Sequence, residues 1–298
     1  MRQTRAGTAR YVAGLRDHLD ADVVEVSFPA SSRLRSVAAD ALWYPRLRAP
    51  DGVDLLHCPT FRGPFRARAP LVVTVHDLAV LRHPEWFNRW TSGYSRLAVP
   101  RVVAAADIVI AVSEHTRREL VALGLAREQK IRVVPNAVED AFTPVGPRAE
   151  GDYVLAVGTL EPRKNLARVA AAVDGELRVV GARGWGGVEP PAGVTWLGNV
   201  SDDELAALYR GARALVYPSL YEGFGIPVAE ALACGCPIVT SRDSPMQELA
   251  GADATYVDPT DIDSIRTGLR HAFAPAPRRI ATWGEVAART QAVYEELV

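Results

Sequence analysis

Chemistry in this sequence concentrates at three places. Glu222 and Glu230 flank Gly223-Phe224-Gly225. A glutamate in a loop and another in the first turn of the following helix can each hold a hydroxyl of one polar ligand. The second is favoured there by the partial positive charge of the helix N-terminus. Arg163 and Lys164 adjoin at what reads as the start of another helix. Backbone N–H groups, the helix dipole and two cations would converge there on one anion. Lys130 and Lys164 are the only lysines among 34 basic residues, so a lysine at this spot suggests that a compact ammonium is wanted. His76 follows the apolar run Leu71 to Val75. Its imidazole can hydrogen-bond a hydroxyl or a developing charge, with Asp77 beside it to orient it or a second hydroxyl. Plainer readings stand next to these: a surface glutamate, a glutamate that merely suits a helix dipole, a solvated basic helix start, and a loop histidine satisfied by backbone.

The elements that must position these residues are legible. Ala214 to Tyr217 reads as a strand ended by Pro218, Pro227 suits a first helical position, and Gly235 can end the helix that runs through Ala233. Cys236 to Thr240 reads as the next strand. Tyr153 to Val157 precedes the turn carrying Arg163 and Lys164. Leu177 to Val180 precedes the glycine loop Gly181 to Gly187, and Val194 to Leu197 leads to Gly198-Asn199-Val200 and the capping box Ser201…Glu204. A short strand at Tyr256-Val257 and helices over 261–273 and 283–297 close the chain. In the first half, Gly7 to Tyr11 reads as a loop leading into a helix whose Tyr11, Leu15 and Leu19 share a face. Asp22 to Phe28 (DVVEVSF), Val53 to His57, Leu71 to Val75, Asp107 to Val112 and Ile131 to Val134 read as strands. Residues 29–50 read as helix plus loop, Arg96 to Ala106 as helix, and Ser113 as the cap of a helix over Glu114 to Leu123. The aromatic stretch His83 to Tyr94 reads as irregular. It lines an acceptor, touches a membrane surface, or is an ordinary capped loop. Alternating strands and helices predict parallel α/β sheets, which bind ligands beyond the carboxyl ends of their strands.

Composition narrows the function classes. A net charge of −1 argues against bulk attraction to nucleic acid. No apolar stretch has the length of a membrane span, and the N-terminal arginines are not followed by the apolar core of a signal peptide. Cys58, Cys234 and Cys236 are too few for a disulfide framework, and no further ligands near Cys234 and Cys236 suggest a metal. A cytosolic location with reduced thiols follows. Neither a P-loop nor a Gly-x-Ser-x-Gly elbow is present.

Glu222, the Gly-Phe-Gly run and Glu230 resemble the E-x7-E motif of retaining glycosyltransferase family 4. Gly158-Thr159-Leu160-Glu161-Pro162-Arg163-Lys164-Asn165 is similar to that family's GTxEPRKN variant. The resemblance spans nearly the whole chain, with its sharp motifs in the second half. It implies the GT-B fold: two Rossmann-like domains with parallel sheets facing across a cleft, and a C-terminal helix crossing back to the first. The domains would be 1–145 on the acceptor side, 146–280 for the nucleotide sugar, and the helix 281–298, with Pro135-Asn136-Ala137-Val138 matching the family's interdomain crossing. It further implies that Arg163 and Lys164 grip the donor diphosphate, that Glu222 lies by the donor sugar, and that Glu230 binds the ribose. Gly223, Phe224, Gly225 and Ile226 would offer amides to the sugar and its phosphate. Gly7 and Thr8 would approach the phosphates, Val200 would lie near the base, and His76 would face the sugar. Thr159 stands where many members have an arginine. No metal or cofactor is implied, the nucleotide diphosphate sugar being a substrate.

The implied reaction is metal-independent hexosyl transfer, with retention, to a hydroxyl of a glycan, a lipid-linked acceptor or a small natural product. The likeness of His76-Asp77-Leu78 and the EPRKN run to bacterial mannosyltransferases favours GDP-mannose. A place in polysaccharide biosynthesis would put the protein in the cytoplasm, with peripheral contact at the inner membrane surface. Two rivals use the same fold: a nucleotide-sugar 2-epimerase, and a degenerate partner subunit without activity. The latter has one motive here. The family places an apolar strand before the Gly7 loop, whereas Met1 to Arg5 is short and polar, so either the start is truncated or misassigned or the protein manages without that strand.

Overall fold

A computed structural model of the chain describes residues 7–28, 32–184 and 187–298. Met1–Arg5 therefore lies outside the described residues, as do 29–31 and positions 185 and 186 of the expected glycine loop. The chain divides into two compact units, one holding the described residues up to Asn136 with Trp283–Val298, the other Ala137–Thr282.

In the first unit the elements run α1 (Gly7–His18), α2 (Arg33–Ala38), β1 (Leu56–Cys58), β2 (Leu71–Val75), α3 (Ala79–Arg82), α4 (Arg89–Ala105), β3 (Ile108–Ala111), α5 (Glu114–Ala122) and β4 (Ile131–Val133). The strands form a parallel sheet in the order β1-β2-β3-β4. Every residue of β2 and β3 is buried, as continuous apolar runs require when helices cover both faces of a sheet. Val102 and Val103 of α4 and Leu120 of α5 pack with Val73, Val75 and Val109 of the sheet. Ser113 caps α5 by accepting from the Thr116 amide.

Four expectations change here. Asp22 to Phe28 forms no strand, and its Val23, Val24 and Val26 are exposed, Val24 at 62%. A strand exists only where a neighbour completes its hydrogen-bond ladder, and β-propensity alone does not supply one. The strand expected at Val53 to His57 is confined to Leu56–Cys58, the residues in register with Leu71 to Val73. Helix α4 starts seven residues before the expected Arg96, because Asn88 caps it by accepting from the Thr91 amide. Half of the aromatic stretch is therefore helical. Gly7 and Thr8 lie in the first turn of α1 rather than in a loop, since the helix that buries Tyr11 and Leu15 already begins at Gly7.

The second unit contains β5 (Tyr153–Val157), α6 (Leu166–Ala172), β6 (Glu176–Val180), β7 (Thr195–Gly198), α7 (Asp202–Gly211), β8 (Ala214–Tyr217), α8 (Ile226–Cys234), β9 (Ile238–Ser241), α9 (Pro245–Ala250), β10 (Thr255–Val257) and α10 (Ile262–Arg270). Its sheet is parallel throughout, in the order β10-β9-β8-β5-β6-β7. The chain moves outward from β5 in one direction to β7, then restarts at β8 on the other side. This reversal between neighbouring strands opens a crevice at their carboxyl ends, where the segments after β5 and β8 begin. The capping box of α7 is complete, with Ser201 and Glu204 each bonded to the other's amide.

The last helix, α11 (Trp283–Glu295), belongs to the first unit. It packs on α1, where a Cβ at Gly14 would lie 2.2 Å from the Trp283 ring. Only glycine permits that approach. Among the described residues no helix is long and apolar enough to cross a membrane. All three cysteines are buried and free.

Candidate active site

Two loops at the switch point of the second sheet are tied to one another before any charged side chain is considered. The Leu220 amide donates to the Arg163 carbonyl at 2.8 Å. Asn165 adopts a left-handed conformation, φ 60°, and its Nδ2 donates to the carbonyls of Pro218 (3.1 Å) and Pro259 (2.5 Å). Asparagine tolerates this backbone better than most residues. These bonds hold the segment after β5 against the segment after β8.

The consequence is a compact ionic cluster. Arg163 donates through Nη1 to Glu222 Oε2 at 2.6 Å and pairs through Nη2 with Glu161 Oε1 at 2.8 Å. Lys164 Nζ donates to Glu222 Oε1 at 2.5 Å and to the Tyr217 hydroxyl at 2.5 Å. The Tyr217 hydroxyl donates to Glu222 Oε1 at 2.7 Å, and the ammonium sits 4.8 Å from the Tyr217 ring centroid. Glu161 is 1% exposed and Glu222 7%. Glu161 Oε2 has no hydrogen-bond partner among the described residues. Burial alone would raise the Glu222 pKa, but Arg163 and Lys164 overcome it and hold the carboxyl down at about 2. Burial, then the Arg163 charge, pulls the Lys164 pKa down against the attraction of Glu222 and Glu161. Burial raises that of Glu161. Two cations and two carboxylates thus share one largely dry site.

Arg163 and Lys164 do not stand in the first turn of a helix. Pro162–Lys164 forms a 3-10 turn, and α6 begins only at Leu166, because the left-handed Asn165 interrupts the helix. Their orientation comes from the carboxylates around them rather than from a helix dipole. Glu230 likewise lies past the first turn, since α8 starts at Ile226. It is 3% exposed, and its Oε2 accepts from the Tyr209 hydroxyl at 2.8 Å. Gly225 is the N-cap of α8, at φ 96°, and a Cβ there would meet Met246 Cγ at 2.6 Å. Both the backbone and the contact demand glycine. Phe224 is buried beside it. Gly223 belongs to the loop, Ile226 opens α8, and Val200 lies just beyond the carboxyl end of β7.

The structure therefore brings Arg163, Lys164 and Glu222 into direct contact and seats Glu230 on the adjoining helix. Gly7 and Thr8 lie in the first unit, at the start of α1. His76 also lies in that unit, immediately after β2, with Nε2 3.0 Å from the Pro59 carbonyl oxygen. Four residues were missed in the sequence: Glu161, Tyr217, Asn165 and Tyr209. For Glu161 and Asn165 a signal existed, because they flank the cationic pair in one run. Tyr217 reads as the end of an apolar strand and Tyr209 carries no signal of its own, and only their hydroxyl contacts reveal them.

Residues 6–142 match the glycosyltransferase family 4 profile and 187–279 the profile of glycosyl transferases group 1. The chain is 30% identical over 293 residues to the O-antigen chain mannosyltransferase B of Escherichia coli, covering 87% of this chain and 77% of that protein. The chain belongs to the group 1 glycosyltransferases of family 4. Another relative of this glycosyltransferase is the O-antigen chain mannosyltransferase RfbU of Salmonella typhimurium, 29% identical, with 73% of this chain and 64% of the relative covered. Among solved structures, WaaG, a glycosyltransferase involved in lipopolysaccharide biosynthesis, superposes with a TM-score of 0.63 at 16% identity, covering 99% of this chain and 94% of that one. The glycosyltransferase thus has the GT-B fold of two parallel-sheet α/β domains.

Proposed function

We propose that the protein transfers a mannosyl group from GDP-mannose, with retention of anomeric configuration and without a metal ion, to a hydroxyl of a glycan, lipid-linked or small-molecule acceptor. The observation that carries this reading is the ionic cluster of Arg163, Lys164 and Glu222 at the carboxyl ends of β5 and β8. The mannosyltransferase relatives support the choice of sugar.

In this mechanism Arg163 and Lys164 bind the donor diphosphate. The bond between the anomeric carbon and the phosphate oxygen breaks, and its electron pair leaves with the phosphate. The acceptor oxygen bonds to the same face of the anomeric carbon and gives its proton to the departing phosphate. Charge accumulates on the leaving oxygens as that bond breaks, so two preorganised cations lower the barrier more than they tighten the ground state. Glu222 keeps both cations in place ahead of the donor and stands beside the sugar. Glu230, with one oxygen taken by Tyr209, presents its carboxylate to the ribose hydroxyls. The amides of Gly223 to Ile226 meet the sugar and its phosphate, Gly7 and Thr8 approach the phosphates, and the base rests near Val200. His76 takes part through its imidazole.

The test is turnover of a panel of GDP-, UDP- and dTDP-sugars with an oligosaccharide acceptor, with product configuration read by NMR and the assay repeated in a metal chelator. Turnover of GDP-mannose to an α-linked product, unaffected by the chelator, is the expected result. Exclusive use of a UDP- or dTDP-sugar, or a β-linked product, overturns the proposal. Conversion of a UDP-sugar without acceptor would reveal an epimerase.

A further inference from the structure

The first unit holds a buried polar chain that the reaction above leaves unused. The Tyr11 hydroxyl on α1 lies 2.9 Å from Thr74 Oγ1 on β2. Thr74 Oγ1 lies 2.8 Å from His57 Nε2 on β1, and His57 Nδ1 lies 2.6 Å from the Tyr294 hydroxyl on α11. Tyr11 and Thr74 are 1% and 0% exposed. Burial, then the neighbouring His76, drives the His57 pKa down to about 3, so the ring is neutral. A neutral His57 completes the chain in either sense. If Tyr11 donates to Thr74 and Thr74 to His57, then His57 donates to Tyr294, and the reverse order is equally closed. Every member is satisfied, which makes such a buried network rigid.

The chain ends against His76. The Tyr11 ring and the His76 imidazole meet in a T-shaped contact, with centroids 4.8 Å apart and planes at 86°. On its other side His76 Nε2 is 3.0 Å from the Pro59 carbonyl oxygen. A carbonyl can only accept, so Nε2 carries the hydrogen. In the neutral ring Nδ1 is then a bare lone pair.

We propose that Tyr11 is a positioning residue, anchored through Thr74 and His57 to Tyr294 on the C-terminal helix, and that it fixes His76 as a hydrogen-bond acceptor at Nδ1. His76 consequently takes the hydrogen of a sugar or acceptor hydroxyl and does not donate to the leaving oxygen. This rests on the reading of His76 as a donor-side residue. A flip of the ring would forfeit the Pro59 bond, and a rotation of its plane would drive it against Tyr11, so its orientation is over-determined.

Two measurements on the full chain test this. Long-range ¹H–¹⁵N spectra of histidine-labelled protein report the tautomer, and a double-mutant cycle of Y11L with H76A reads kcat/KM. His76 should be neutral and Nε2-protonated at pH 7, with its two nitrogen shifts drawn together in Y11L. Y11L should lower kcat/KM about tenfold, an ordinary coupling for residues in contact, and the loss should vanish in the H76A background. An Nδ1-protonated or doubly protonated His76, or a Y11L loss that persists unchanged alongside H76A, overturns the proposal. Should Y11L not fold, Y11F, which keeps the ring and removes its anchor, takes its place in the same cycle. If H76A alone costs nothing, the role of His76 in transfer falls, and the tautomer measurement still decides this inference.

Discussion

Replacing Glu222 by glutamine keeps the volume and removes the charge that bridges Arg163 Nη1 and Lys164 Nζ. Its carboxyl is held at about 2, against an ordinary 4.5. A depression of that size corresponds to about 3 kcal/mol of stability at neutral pH. That agrees with the roughly 3–5 kcal/mol lost when one partner of a buried pair is removed. Because the folded-state pKa is depressed, this stability is present above pH 4.5 and is lost as pH falls through 2. Glutamine cannot titrate, so the gap between wild type and E222Q should be about 3 kcal/mol at pH 7, about half of that at pH 3, and should close near pH 2. The stretch Ala137–Thr282 holds 146 residues. For that size the neutral-pH loss corresponds to a fall in its melting temperature of about 6–12 °C. Urea unfolding of both proteins between pH 7 and 3, followed by circular dichroism, measures the gap directly. A gap as large at pH 3 as at pH 7, or equal stability at pH 7, refutes the claim that Glu222 is the ionised counter-ion of the pair.

Three further outcomes follow from the same geometry. Lys164→Met should lower kcat for GDP-mannose about 100- to 1000-fold, as loss of one preorganised charge-stabilising group does; steady-state kinetics beside a thermal melt would show it, and an unchanged kcat would contradict the assigned role. Tyr209→Phe should raise the donor KM several-fold with little change in kcat, since about 1 kcal/mol of carboxylate positioning is lost from Glu230 while the diphosphate site is untouched; a kcat effect without a KM effect would argue against ribose binding. Gly225→Ala should destabilise the protein by about 1–3 kcal/mol, combining a positive φ with a close contact to Met246, and a melt matching wild type would contradict it.

Much of the second unit was legible because its signals are local. Ala214 to Tyr217 is apolar and halted by a proline, and Gly235 and the Ser201…Glu204 box punctuate the helices on either side. These are backbone preferences that operate over a few residues. The first unit was read less well where a strand depended on a partner. Asp22 to Phe28 has the composition of a strand, yet its valines stand in solvent because nothing described completes its ladder. Asn88 set the start of α4 through a single cap hydrogen bond, which a scan for apolar periodicity passes over.

The candidate site divides along the same line. The E-x7-E spacing, the adjoining Arg163 and Lys164, and a histidine after a buried strand are chemical types at fixed separations, and the sequence alone determined that a polar, anionic ligand was to be sought there. Only the tertiary structure decided how the charges are arranged. Asn165 breaks the helix on which Arg163 and Lys164 were expected, so Glu161 and Glu222 orient them instead, and Tyr217 and Tyr209 turn from core aromatics into carboxylate partners. The physical reason is range. Strand and cap preferences act within a few residues along the chain, whereas ion pairing and desolvation depend on distances across it, and the crossover order of β5 and β8 sets those distances.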